Sequence, residues 1–238
     1  MDAKSGHTVP TLSIDLSSSW TTSSIIINAF NKPPGLTNFK HEALWWIPET
    51  SSFEAFGGQP YTATTNSIWS LTPDGNGAGT WSEETFPSGD LWQSITWPYY
   101  GSIAASSTTG YILGGYAQYG NTLGAITGMI EFGFGSALSN WTNITTAGQY
   151  SSSGMSTDGA AQFVPSFGKA GILVLLGGNA PLSSFDTENM LRPMSNITIY
   201  DPSSKLWYSQ TATGDVPASR SDICIVGAQS TNSSTFEM

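Results

Sequence analysis

Charge, cysteine and histidine are all scarce in this 238-residue chain. Charged residues make up 10% of it, well under the roughly 25% of ordinary soluble domains, while glycine (26), serine, threonine and aromatics are plentiful, a balance that favours strands joined by turns. Basic residues are few: five lysines and two arginines face 17 acidic residues, for a net charge of −10. Nothing in such a chain can neutralise a run of phosphates, so nucleic acid is excluded as a partner. The lone cysteine, Cys224, rules out an internal disulfide, and its setting in Ile223-Cys-Ile-Val226 reads as a small buried hydrophobe. With two histidines, His7 and His41, no Cys/His cluster of zinc-binding kind can form. No apolar run approaches the roughly 20 residues that span a bilayer, and the first residues lack the apolar core of a signal peptide.

What is present is a repeat. Three apolar runs end in a glycine pair, at Gly57-Gly58, Gly114-Gly115 and Gly177-Gly178, recurring after 57 and 63 residues. Downstream of each lies another apolar run, a turn and a tryptophan: Trp81, Trp141 and Trp207, with Trp20 closing a partial copy at the start of the chain. Upstream of each pair is a further apolar segment: Ala43–Ile47, Gly101–Ala105, Ala160–Val164, and, opening one more copy, Asp222–Gly227. Each unit therefore reads as four short strands, A to D, rich in Ile, Val, Trp, Tyr and Thr and bounded by Gly, Pro, Asn and Ser. No stretch holds a 3.6-residue period for three turns, so helix is expected to be nearly absent. Four-stranded units repeated around an axis make a β-propeller, in which radial packing protects the strand edges. The glycines let strand B end in a close backbone approach, and the tryptophans offer area to bury between blades.

An apolar run ending in Gly-Gly, then an aromatic, then Trp resembles the kelch repeat, most closely in Gly177-Gly178, Tyr200-Asp201 and Trp207. The resemblance covers residues 11 to 228 and is nearest to fungal extracellular kelch proteins with galactose-oxidase-like or attractin/muskelin-like propellers. It implies an all-β, kelch-type β-propeller of four-stranded antiparallel blades, incomplete, with about three full blades at 42–85, 101–145 and 158–211 and partial blades at each end. Residues 1–10 and 229–238 read as tails. Such an arrangement is either a fragment of a larger ring or a four-bladed closure; the fragment is preferred because the closing blade would lack its strand B. An open ring exposes apolar edges and is expected to self-associate.

The chemistries such propellers can carry find no support. A copper-radical site resembling that of galactose oxidase needs two histidines, a tyrosine and a Cys–Tyr crosslink, which His7, His41 and Cys224 are not placed to supply. A sialidase needs an arginine triad, and only Arg192 and Arg220 exist; the stretch Asp74–Trp81 reads as a glycine-rich turn between strands C and D. Glu83-Glu84 and Asp186 with Glu188 are the nearest thing to paired carboxylates and read as solvated. The chain is therefore expected to be no enzyme and to need no cofactor and no metal.

Binding is expected where long loops gather. Strands alternate in direction, so the B–C and D–A connections emerge on one face, and both are much longer than the C–D turn Pro202–Lys205. Aromatics beyond the repeat's needs lie there: Trp92, Trp97, Tyr99 and Tyr100 in one connection, Tyr116 and Tyr119 in another, with Arg192 as a polar candidate on a third. The expected partner is a protein or a glycan; the alternative is an extracellular galactose-oxidase-like or carbohydrate-active enzyme whose catalytic residues lie outside this chain. Four sequons, at Asn140, Asn143, Asn196 and Asn232, point to a glycoprotein that is secreted or on the cell surface.

Overall fold

A computed structural model describes residues 9–36, 40–59, 68–84, 97–119, 122–134, 141–144, 150–186, 190–232 and 235–238. All regular structure among them is β-strand, with no helix. Three four-stranded antiparallel sheets follow one another along the chain. The first is β3 (Ala43–Ile47), β4 (Ser52–Phe56), β5 (Ile68–Pro73) and β6 (Gly79–Glu84). The second takes β7 (Ser102–Ala105), β8 (Thr109–Leu113), β11 (Met129–Gly133) and β12 (Trp141–Ile144). The third is β13 (Ala160–Val164), β14 (Ile172–Leu176), β15 (Asn196–Asp201) and β16 (Leu206–Thr211). Each pairs in sequence order, A to D, within a residue or two of the spans the repeat defines. Among the described residues the result is a set of propeller blades without a closed barrel.

Two-stranded pieces flank the blades. β1 (Thr11–Ile14) pairs with β2 (Ile27–Phe30), and β17 (Ala228–Gln229) with β18 (Phe236–Glu237). Within the second blade, the B–C connection is itself a hairpin, β9 (Tyr116–Tyr119) against β10 (Thr122–Ala125).

Most of the core lies between blades; a smaller cluster packs Leu36 on Ala55, Trp69 and Trp81 of the first blade. Ala43, Trp45, Ile47, Phe56 and Ile68 of the first blade pack with Ile112, Ile130, Phe132 and Phe134 of the second. Tyr111, Leu113 and Met129 of the second pack with Leu173, Leu175 and Tyr200 of the third. A single face of each sheet cannot bury itself, so stacking neighbours is what removes this apolar area from water.

Three tryptophans hold the position the repeat assigns. Trp81 pairs with Leu71, Trp141 with Phe132 and Trp207 with Tyr200, each on strand D opposite strand C. Trp141 also meets Phe56 of the preceding blade edge-on, 4.9 Å between centroids. Trp20 departs from the pattern. The partner strand begins seven residues after it, so Trp20 stands in the β1–β2 connection, 45% exposed, and closes no blade interface.

Cys224 is a second correction: it is exposed. From Ser221 to Ala228 exposure alternates residue by residue, with Cys224 and Val226 on the outer side and Ile223 and Ile225 on the inner. The apolar run is an extended segment with one covered face, and Cys224 falls on the other.

The turns match their sequences. At the first C–D turn the Asp74 carboxylate accepts the amides of Asn76 and Ala78, at 2.8 and 3.0 Å, which lowers its pKa. Asp201 does the same at the third, accepting from Ser204 Oγ and from the Ser203 amide, both at 2.8 Å.

Candidate functional site

Each glycine pair joins its blade to the chain entering the next. Gly58 donates its amide to Pro98 O at 3.1 Å, Gly115 to Ser156 O at 2.6 Å, and Gly178 to Arg220 O at 2.9 Å. All six glycines have positive φ. A Cβ on Gly57 would stand 2.2 Å from Pro98 O, and one on Gly114 would stand 2.0 Å from Ser156 O, so no side chain fits where the blades meet.

Two residues beyond each acceptor, or at the matching position before the first blade, stands a residue in the left-handed region that is not glycine. These are His41 (φ 58°), Tyr100 (60°), Asp158 (56°) and Asp222 (53°). Their backbones form a chain: Asp222 N–H to Asp158 O at 2.9 Å, Asp158 N–H to Tyr100 O at 2.9 Å, and Tyr100 N–H to His41 O at 3.4 Å. Because β3, β7 and β13 follow directly and neighbour one another, this line runs beside the inner strands at the loop end of the blades. Four left-handed non-glycine residues at the same position are costly and persist only where surrounding structure holds them.

Around that line the side chains converge. The His41 and Tyr100 rings stack at 3.5 Å between centroids. Tyr99, Tyr100 and Tyr116 form a triangle of rings with centroids 5.9 to 6.2 Å apart, and the Tyr99 and Tyr116 backbones bridge. Tyr116 is tied in turn to the third blade, its hydroxyl accepting from Thr157 Oγ1 at 3.2 Å. Asn179 Nδ2 donates to Asp158 Oδ2 at 3.2 Å. Burial raises the Asp158 pKa; hydrogen bonds from Thr157 and Asn179 oppose it, Asp222 adds to it, and His41 lowers it. Burial also pushes the Tyr99 hydroxyl up to about 12, with Tyr100 and Tyr116 contributing.

The B–C connections meet as well. The β9–β10 hairpin of the second blade reaches the third, Ala125 N–H donating to Ser184 O at 2.7 Å, and Ser153 Oγ donates to Pro181 O. The loop face is thus one continuous surface across the second and third blades.

Of the residues the sequence points to, Tyr100 and Tyr116 are part-buried at this junction, while Tyr99 is buried. Trp97 belongs to the core, its ring 4.5 Å from that of Phe56, so it offers no surface to a partner. Tyr119 ends β9 opposite Thr122, and Trp92 lies outside the described residues. Arg192 is a clear correction: it is 4% exposed, its guanidinium 3.6 Å from the centre of the Tyr150 ring and donating to Thr198 Oγ1 at 3.0 Å. It braces the connection between the second and third blades, since Tyr150 donates to Gly177 O at 2.6 Å. Of the sequons, Asn143, Asn196 and Asn232 are exposed, and Asn140 lies outside the described residues. His41, Asp158, Asn179 and Asp222 were not singled out as site residues. For His41, Asp158 and Asp222 the signal is a recurrence just ahead of strand A with no shared residue type, whereas Asn179 directly follows the third glycine pair.

At the opposite end of the same inner strands a hollow of about 560 Å³ is lined by Trp46, Ile103, Ala105, Phe163, Pro165 and Ile225 among others. No group of His, Cys, Asp and Glu able to hold a metal occurs among the described residues. No helix among them is long and apolar enough to cross a membrane.

No protein-family model matches the chain. A stretch of 100 residues, 41% of the chain, is 32% identical to a Kelch repeat-containing protein of Arthroderma benhamiae. The match spans 14% of that protein's length. Together with the four-stranded antiparallel sheets, this similarity supports a kelch-type propeller architecture.

Proposed function

We propose that the chain is a non-catalytic binding scaffold that recognises a protein or a glycan through the loop face of its blades. The observation that carries this reading is the junction of the second and third blades. There Tyr100, Tyr116 and His41 rings stand beside the polar groups of Thr157, Asp158 and Asn179, all fixed by backbone bonds between blades. Flat rings give contact area at low entropic cost, and polar groups on a rigid frame add direction. The exposed sequons Asn143, Asn196 and Asn232 support a place in the secretory pathway or outside the cell.

The test is capture on immobilised glycans and on panels of extracellular proteins, comparing the native chain with Tyr100→Ala and Tyr116→Ala. A ligand held by the native chain and lost by at least ten-fold in both variants supports the reading, as expected for central aromatic contacts worth ~2 kcal/mol each. Ligands held equally by all three, or turnover of a bound sugar by the chain, would overturn it.

A further inference from the structure

The two outlying hairpins have the form of opposite halves of one blade. β17–β18 repeats the A–B hairpin of the first blade: Gln229 faces Phe236 as Trp46 faces Phe53, and Ala228 faces Glu237 as Trp45 faces Glu54, with equal spacing along the chain. The segment leading into it is bonded to the third blade, Asp222 N–H to Asp158 O, at the place of a strand A. β1–β2 takes the outer, C–D place beside the first blade. Ser13 Oγ donates to Gly77 O in that blade's C–D turn, just as Glu131 on strand C of the second blade reaches Lys205 in the C–D turn of the third. Trp81 Nε1 donates to Thr11 Oγ1 at 2.8 Å. Among the described residues each half stands as a two-stranded sheet without its complement.

Exposed apolar side chains gather on the faces those complements would cover. Leu44 and Trp46 are 48% and 43% exposed on the first blade, whereas Ile103 and Ala105, at the same strand A positions of the second, pack against the blade before them. Val226 is 77% exposed, and its counterpart on strand A of the first blade, Ala43, is buried. Thr11 and Ser13 point at the first blade, so Leu12 and Ile14, both exposed, point away from it. On strand D of the third blade Leu206 and Tyr208 are exposed as well. A hollow of about 420 Å³ lies between β1–β2 and the first blade, lined by Leu44, Phe53 and Leu71 among others.

We propose that a second copy of the chain supplies the complement: β17–β18 of one copy joins β1–β2 of the other, head to tail, as one four-stranded blade built from two chains. β18 stands as its strand B and β1 as its strand C, so main-chain bonds form along the free edge of β1. Val226 then meets Leu44 and Trp46 of the other copy, and Leu12 and Ile14 meet Leu206 and Tyr208, which removes both apolar faces from water. This continues the interface by which the second blade already packs on the first. A head-to-tail joint makes a ring when its rotation closes. Three blades and two halves per copy give eight blades in a pair, within the roughly four to eight of known propellers, and a third copy exceeds that range. Within one copy the two hairpins stay in separate sheets. The joint lies on blade faces, so it stands or falls independently of any ligand on the loop face.

The experiment is sedimentation equilibrium of the full chain, with reductant present so that the exposed Cys224 forms no disulfide. The native chain should sediment as a dimer. Leu44→Glu and Val226→Lys each put a charge into the apolar joint and should raise the dimer dissociation constant by about ten-fold or more. Both positions are exposed in the single chain, so circular dichroism of the two variants should match that of the native chain. Mixing the two variants in equal amounts should restore the dimer, because one joint is then wholly native and the other sets the new glutamate against the new lysine. A native chain that stays monomeric, as it would if its own two hairpins met, overturns the proposal. So do aggregates that grow without limit with concentration, a dimer indifferent to both substitutions, and a mixture that remains as dissociated as its components.

Discussion

Gly115 of the second blade donates its amide to the carbonyl of Ser156, 2.6 Å away and at the threshold of the third. The same bond recurs from Gly58 and from Gly178, so the repeat's most visible sequence marker is the place where one blade is fastened to the next. Side-chain size is forbidden there by backbone on the facing side, which explains why the marker is a pair of glycines rather than any small residue.

Gly114→Ala should therefore be severely destabilising. Its added Cβ would fall 2.0 Å from Ser156 O, with φ at +61°. Gly75 also has positive φ (+78°) but open space around it. Chemical denaturation is expected to show a loss of ~3 kcal/mol or more for Gly114→Ala and about 1 kcal/mol for Gly75→Ala, the difference being the clash. Similar losses for the two would mean that the blades do not approach closely at this point.

Glu131 links the second and third blades through side chains. It accepts from Tyr200 Oη at 2.9 Å and from Lys205 Nζ at 2.6 Å. Tyr200 is fully buried, whereas the Lys205 side chain is 56% exposed. Glu131→Ala strands the Tyr200 hydroxyl and should cost about 2–4 kcal/mol, while Lys205→Ala should cost under ~1 kcal/mol because its half of the pair faces water. Equal effects in the two variants would contradict this division.

Stability should fall as pH rises through the weakly acidic range. Glu54, 5% exposed on β4, has its pKa raised from the ordinary 4.5 to about 7, first by burial and then by Glu84. Between those values the folded chain holds a proton that the unfolded chain has released, so each step up in pH favours unfolding, and above about 7 the effect is complete. Glu54→Gln should remove this component and be more stable than the native chain at pH 8 by about 2 kcal/mol, once solvent screening is allowed for. Denaturation midpoints of the pair that stay parallel from pH 4 to 8 would refute it.

Cys224 should react with a thiol reagent in the folded protein, one equivalent per chain, at a rate near that of a free thiol, since it is exposed. Reaction only after denaturant is added would place it back in a core.

The blades were legible in the sequence because strand A, the glycine pair, strand C and the tryptophan each carry a residue type the structure needs. Trp141 must be large to reach Phe56, and Gly114 must be small to admit Ser156. The line through His41, Tyr100, Asp158 and Asp222 was not legible, for it repeats a backbone conformation and leaves the side chains free to differ. Trp20 misled because its spacing fits the repeat while its partner strand arrives only at Ile27. Cys224 misled because four apolar letters in a row look buried, although an extended segment covered on one face turns every second residue outward. Arg192 looked like a loop charge, and nothing local in the sequence announces that Tyr150, 42 positions earlier, lies under it.

Native-state hydrogen exchange at the amides of Gly58, Gly115 and Gly178 tests most directly whether the glycine pairs fasten the blades into one rigid loop face. The amides should exchange as slowly as those in the middle of β8 and β14, opening only with global unfolding. Exchange as fast as that of Gly75 in the exposed C–D turn would mean that the blades move independently and that no shared binding face exists.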